Sequence, residues 1–156
     1  MVQSLDTNVG RVLHALDAGG LASNTIVVFT SDNGGERFSD NWPFSGMKQE
    51  LLEGGLRIPA VARWPGHIAA ASVSDQVMIT MDWLPTLLAA AGTLPDAAYP
   101  SDGENLGPIV NGRAALHPRK LYWRYKAGSQ RAMRDGNWKY LQIAGKSFLR
   151  RGERPA

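Results

Sequence analysis

Asp32 and Asn33 set a carboxylate beside an amide, directly after the apolar run Thr25-Ile26-Val27-Val28-Phe29-Thr30 and directly before Gly34-Gly35. Two adjacent hard oxygen donors suit Ca²⁺ or Mg²⁺ better than Zn²⁺. Lys48 follows, bracketed by Gly46 and by Gly54-Gly55. Glycines on either side can bring backbone and ammonium close to an anionic group. Oxygen ligands with a cation nearby describe part of a metal-assisted anion site. Taken one at a time, the same residues also describe an ordinary turn, because Asp, Asn and Gly dominate turns for local reasons, and a solvated surface lysine.

These residues need elements to hold them. A continuous apolar run with several β-branched members reads as a strand buried on both faces, as in parallel sheets. Ligands of open α/β sheets collect beyond the carboxyl ends of such strands. Neighbouring side chains on a strand point to opposite faces, so Asp32 and Asn33 reach one ion only where the chain leaves strand geometry. Gly34 and Gly35 are expected to permit this through positive φ. Upstream, Leu5, Val9, Val12, Leu13 and Leu16 share one face of a helix over 4–18, stopped by Gly19-Gly20.

Downstream, residues 34–56 read as a long irregular loop. A second strand is expected over Arg57–Arg63, interrupted at Pro59 and ended by Trp64-Pro65-Gly66. Asp82 is placed to cap a helix that carries Pro85 in its first turn and closes at Gly92. The Pro/Gly/Asp-rich stretch 93–118 predicts a connecting loop with a short helix near Leu106–Val110. Leu121–Tyr125, Gln130–Arg134 and Trp138–Ile143 are strand candidates, with Asp135-Gly136 a hairpin signal.

TIVVFTSDNGG, then Gly46-Met47-Lys48, then EGGLRIPAVARWPG resembles, in order and spacing, the sulfatase family of the alkaline phosphatase superfamily. Leu5-Asp6-Thr7-Asn8-Val9-Gly10-Arg11-Val12-Leu13 resembles the family's helix before that strand, and Met81-Asp82-Trp83-Leu84-Pro85-Thr86 its D-x-x-P-T helix. Asp102-Gly103-Glu104-Asn105-Leu106 and Arg134-Asp135-Gly136-Asn137-Trp138-Lys139-Tyr140 also fit, so the resemblance spans about residues 1 to 143. It implies an α/β fold: part of an alkaline-phosphatase-like parallel sheet with flanking helices, then a small antiparallel sheet. The implied partition is 1–92 catalytic domain, 93–118 connecting loop, 119–146 antiparallel subdomain and 147–156 divergent tail. It further implies Asp32 and Asn33 as ligands of Ca²⁺, Lys48 as a sulfate contact, and a sulfate ester as substrate of the complete enzyme.

The family's catalytic formylglycine arises from Cys or Ser in a C/S-x-P/A-x-R segment. These 156 residues hold no cysteine, and none of their serines is followed by that pattern. The family's early Asp-Asp metal ligands are absent as well, and His14, His67 and His117 do not occupy its histidine position. Without a nucleophile there is no covalent route to ester cleavage, and two protein ligands fall short of the 6–8 oxygens typical of Ca²⁺. The expectation is the carboxyl-terminal portion of a sulfatase, with an incomplete calcium site and no catalytic residue of its own. Truncation, a shifted reading frame or a short natural gene are alternative origins. Other functional readings are a non-catalytic binding protein derived from a sulfatase, or a phosphonate or phosphodiester hydrolase of the same superfamily.

The net charge of +3 conceals an asymmetry. Residues 1–110 carry 5 basic and 12 acidic side chains, a balance of −7, whereas 111–156 carry 12 basic and 2 acidic, a balance of +10. The basic block alternates with Tyr122, Trp123, Tyr125, Trp138 and Tyr140. That pattern suits an antiparallel sheet with one polar face better than nucleic-acid binding. Such a sheet could draw anionic substrates toward the site or pair with the acidic remainder. No apolar run reaches the roughly 20 residues of a membrane helix. No signal peptide is visible, which makes the cytoplasm the default compartment. Unpaired strand edges predict a homo-oligomer or dependence on a missing amino-terminal segment.

Overall fold

The computed structural model describes residues 1–143 and 146–151. Helix α1 spans Val2–Ala18. Strand β1 (Val27–Thr30), helix α2 (Glu53–Leu56) and strand β2 (Ala60–Arg63) follow. Then come helices α3 (Trp83–Ala90) and α4 (Gly107–Val110). The chain closes its described part with strands β3 (Lys120–Tyr125), β4 (Gln130–Asp135), β5 (Trp138–Ile143) and β6 (Lys146–Arg151). The fold is α/β. Strands β1 and β2 form a two-stranded sheet, and β3-β4-β5-β6 form a four-stranded antiparallel one. Among the described residues no helix is long and apolar enough to cross a membrane.

Two compact units divide the chain, one of Met1–Val28 and Val61–Leu116, the other of Phe29–Ala60 with the chain from His117 onward. In the first unit, α1 stops where the sequence predicts. Gly20 is left-handed at φ 66 and the Leu21 amide returns to the Leu16 carbonyl at 2.9 Å, a glycine-dependent termination. The apolar stripe of α1 is only half used: Val9, Leu13 and Leu16 are half-buried, while Leu5 and Val12 stay exposed. Arg63 at the end of β2 donates to Asp17 at 2.9 Å.

Asp82 departs from its expected role. Its side chain does not cap α3. The carboxylate is fully buried and accepts the Ile79 amide at 2.8 Å and the Glu104 amide at 2.9 Å. Thr86, one turn into α3, accepts the Leu106 amide at 3.0 Å. Asp82 and Thr86 of the D-x-x-P-T motif thereby bind the 104–106 segment to the start of α3, and Leu106 is buried beneath them at 1% exposure. A side chain on Gly103 would overlap the Met81 carbonyl oxygen, so the segment sits directly on backbone.

In the second unit, antiparallel register puts directly paired residues on one face. Three rows result: Leu121–Arg134–Lys139, Trp123–Ala132–Leu141 and Tyr125–Gln130–Ile143. Leu51, Leu52 and Leu56 pack against the middle of this face, in a core with Ala132, Leu141, Trp123 and Ile143. The strands from the sequence reading are present, and β6 adds a fourth. The hairpin between β4 and β5 turns at Gly136, φ 54.

Two glycine substitutions separate local from tertiary effects. Gly10→Ala, in mid-helix with nothing within 4 Å of the added carbon, is expected to stabilise by about 0.5–1 kcal/mol. Gly103→Ala is expected to destabilise by about 1–3 kcal/mol. Urea unfolding midpoints measure both.

Candidate functional site

Beyond β1 the chain turns on its own side chains. Thr30 Oγ1 donates to the Pro59 carbonyl at 2.9 Å and Ser31 Oγ to the Asn33 carbonyl at 3.0 Å. Asp32 is exposed, Asn33 half-buried and Gly34 buried. The Gly34 amide donates to the Gly55 carbonyl at 3.0 Å. Neither Gly34 nor Gly35 has positive φ, which corrects the expectation that they bend the chain through left-handed geometry. Their smallness is needed for another reason. A β-carbon on Gly34 would overlap the Gly54 carbonyl, one on Gly35 the Asn41 side chain, and one on Gly54 the Gly46 carbonyl. Three backbone segments are stacked at glycines.

That stacking fixes Lys48. Its amide donates to the Gly35 carbonyl at 2.8 Å, and the Gly54 amide donates to the Ser45 carbonyl at 2.8 Å. Asn41 Nδ2 closes the turn on the Gly46 carbonyl at 3.0 Å. Asp32, Asn33 and Lys48 consequently line one open cleft of about 740 Å³. The Lys48 ammonium lies 3.6 Å from Glu36, and both are exposed, so this pair is worth little. Arg57 lines the same cleft, a second cation that the sequence reading did not single out. Its guanidinium stacks 4.8 Å from the Phe44 ring centroid and donates through Nε to Glu53 at 2.8 Å. The spacing Glu53-x-x-x-Arg57 is the signal that marks this pair.

Glu53 does more than hold Arg57. Its carboxylate also accepts Arg134 Nη1 at 3.0 Å and Lys139 Nζ at 2.6 Å. Burial works to raise the Glu53 pKa, but hydrogen bonding and charge from Lys139, Arg57 and Arg134 outweigh it and hold the group below its ordinary value of 4.5. Burial depresses Lys139 below 10.5, helped by the neighbouring Arg134 and Arg57 and opposed by Glu53. Part of the basic block thus faces inward to meet the acidic part of the chain. Gln130 adds a second tie: its side-chain carbonyl accepts the Leu51 amide at 3.1 Å and its Nε2 donates to the Gln49 carbonyl at 3.2 Å.

As a metal centre, the Asp32–Asn33 pair offers one carboxylate and one amide at adjacent positions, and Glu36, Asp40 and Asn41 line the same cleft. Among the described residues no group of three or more His, Cys, Asp or Glu side chains is placed to hold a metal ion. The donor type fits a hard cation, and Asp32 and Asn33 supply only part of a shell of 6–8 oxygens. His14, His67 and His117 do not line the cleft; His67 stacks on Trp64, with ring centroids 3.8 Å apart.

The family model described as Sulfatase matches residues 1–93. This chain belongs to the sulfatase family. It is 42% identical over 128 residues to N-acetylgalactosamine-6-sulfatase of Homo sapiens, covering 78% of this chain and 24% of that protein. It is 36% identical over 146 residues to steryl-sulfatase of Mus musculus, covering 87% and 23%. The solved structure of Ps i-CgsB in complex with k-i-k-neocarrahexaose superposes with a TM-score of 0.88 at 29% identity, over 96% of this chain and 35% of that one. The sulfatase chain therefore spans about a quarter of the length of the curated relatives it matches.

Two substitutions test how the cleft wall of this chain is held. Glu53→Gln leaves Arg134 and Lys139, at 16% and 11% side-chain exposure, without their counter-charge. The expected loss is about 3 kcal/mol, the low end for breaking a buried pair. Since the folded-state pKa of Glu53 lies below the unfolded one, the unfolded chain takes up the proton first. Its stabilisation is complete above the ordinary carboxylate value and is lost as pH falls through the folded value. The acid limb of stability below about pH 4.5 should accordingly flatten in the variant, as read by urea midpoints across pH. Gly34→Ala is expected to cost about 1–3 kcal/mol and to raise amide exchange at Gly34 and Lys48, measured by hydrogen–deuterium exchange.

Proposed function

We propose that this chain forms one wall of a sulfate-ester site, with Asp32 and Asn33 as ligands of Ca²⁺ and Lys48 as the sulfate contact. The observation that carries the reading is the Lys48 amide held on the Gly35 carbonyl, which puts the only lysine of the cleft lining in the same cleft as Asp32 and Asn33. A lysine whose backbone is anchored in the same cleft as a carboxylate–amide pair suits an anion bridged to a cation. Arg57 adds positive charge to that cleft, with its Nε given to Glu53. The bound calcium would polarise a sulfuryl oxygen. This chain's own contribution is to orient the sulfate through Lys48 and to hold the strand-end ligands rigid through the Gly34–Gly54 contact.

The 156 residues contain no cysteine and no serine in the C/S-x-P/A-x-R pattern, so as a polypeptide of this sequence the chain binds sulfate without cleaving its esters. Calorimetry with calcium chloride and sodium sulfate tests this. Asp32→Ala is expected to abolish the calcium heat, and Lys48→Ala to weaken sulfate by about tenfold or more, the scale of one hydrogen bond to a charged group. No heat at millimolar concentrations of both ions would remove the binding role. Turnover of an aryl sulfate by the purified chain, lost in Asp32→Ala, would overturn the inactivity.

A further inference from the structure

Trp42 lines the same cleft as Lys48 and Asp32, yet the residue is 86% exposed. Tryptophan is highly buried on average, and leaving such an apolar face in water forgoes about 2–3 kcal/mol of transfer free energy. Its backbone is not loose. The Trp42 amide donates to Asp40 Oδ1 at 3.0 Å, and the Phe44 amide returns to the Asn41 carbonyl at 2.7 Å. The Asn41 side chain in turn holds the Gly46 carbonyl at 3.0 Å. A braced turn therefore presents an open indole to the cleft, with Ser39, Asp40 and Asn41 supplying polar atoms alongside it.

We infer that Trp42 is a specificity-determining residue that receives the ring of a sulfated pyranose while Lys48 holds its sulfate. The inference rests on the sulfate-binding reading above. A pyranose has an apolar face of C–H groups, whose positive edge suits the negative face of an aromatic ring. It also carries hydroxyls around its rim that need hydrogen-bond partners, which Ser39, Asp40 and Asn41 are placed to give. A flat aryl or steroidal sulfate would present no comparable hydroxyl rim and would gain most from an enclosed apolar pocket, whereas this cleft is open and sets Ser39, Asp40 and Asn41 beside the indole.

Calorimetric titration of the chain with inorganic sulfate, galactose 6-sulfate and 4-nitrophenyl sulfate tests the assignment, with circular dichroism confirming that each variant is folded. Galactose 6-sulfate is expected to bind about tenfold more tightly than inorganic sulfate, the scale of one aromatic contact. Trp42→Ala should remove that advantage and leave inorganic sulfate unchanged, and Trp42→Phe should retain part of it. Equal affinity for galactose 6-sulfate in the wild type and Trp42→Ala overturns the role of Trp42 while leaving the sulfate reading intact. A gain for 4-nitrophenyl sulfate as large as for the sugar overturns the pyranose assignment. If Trp42→Ala changes only the sedimentation coefficient, the indole is a protein contact and the inference fails. No binding of any of the three, with Lys48→Ala silent as well, sinks the sulfate reading itself.

Discussion

One carboxylate, that of Glu53, receives hydrogen bonds from Arg57, Arg134 and Lys139. An isolated buried charge is costly, so the two inward-facing cations of the sheet and the carboxylate of α2 are each tolerable only because the others are there. The opposite charge balances of the two parts of the chain meet at this point. An ion cluster of this kind does not outperform apolar packing of the same volume, and the leucines around it supply the hydrophobic contacts. What the charges add is position. Glu53 faces the row that holds Arg134 and Lys139, while Gln130, four residues back along β4 and two rows away in register, takes the backbone of residues 49 and 51. A shift of the segment along the sheet would unpair both ends at once.

The cleft inherits this alignment. With α2 fixed, Gly54 and Gly55 become the surface against which Gly34 is pressed, and Gly46 is pressed against Gly54 in turn. Asp32 and Asn33 directly precede that stack, and Lys48 is bonded through its amide to Gly35. The two cations of the cleft are held differently. Arg57 is committed to Glu53 at hydrogen-bonding distance, whereas Lys48 has only a loose, exposed partner in Glu36 at 3.6 Å. The lysine is the one whose charge is more readily turned toward an incoming anion.

Much of this was legible in the residues, wherever the determinant was local. Helical spacing in 4–18, the apolar run before Asp32, the Asp135-Gly136 hairpin and the alternating strands around it all use interactions between near neighbours. The Gly46-x-Lys48 and strand-end Asp32-Asn33 signals did come to line one cleft. The misreadings share a different cause. Glu53 meets Arg134 and Lys139 across sequence separations of 81 and 86 residues, and no periodicity announces such a pairing. Gly34 and Gly35 suggest a bend through positive φ, but what they provide is room, Gly34 for the backbone of Gly54 and Gly35 for the side chains of Asn41 and Ser39. Asp82 has the composition of a helix cap and instead spends its carboxylate on the amides of Ile79 and Glu104. Trp42 and Arg57 lie in a segment without regular spacing, where neither pattern nor propensity separates a cleft residue from a surface one.

The two hydrogen bonds Lys48–Gly35 and Gly54–Ser45 close a neck below residues 36–44. Below it glycines are packed tightly, Gly34 and Gly54 directly on backbone, and a change of side chain or length there would displace Asp32 and Asn33. Above it the chain is an excursion whose two ends are already tied together. Lengthening a tethered loop costs little, only about 0.6 kcal/mol for each doubling. Ser39 and Asn41, which pack on Gly35, and the Asn41 bond to the Gly46 carbonyl belong to the fixed part; changes at the other positions between Glu36 and Phe44 can therefore accumulate with little effect on Asp32, Asn33 or Lys48. The architecture separates a part that must stay constant from a part that is free to diversify, so that the rim of the cleft can change over an unchanged wall.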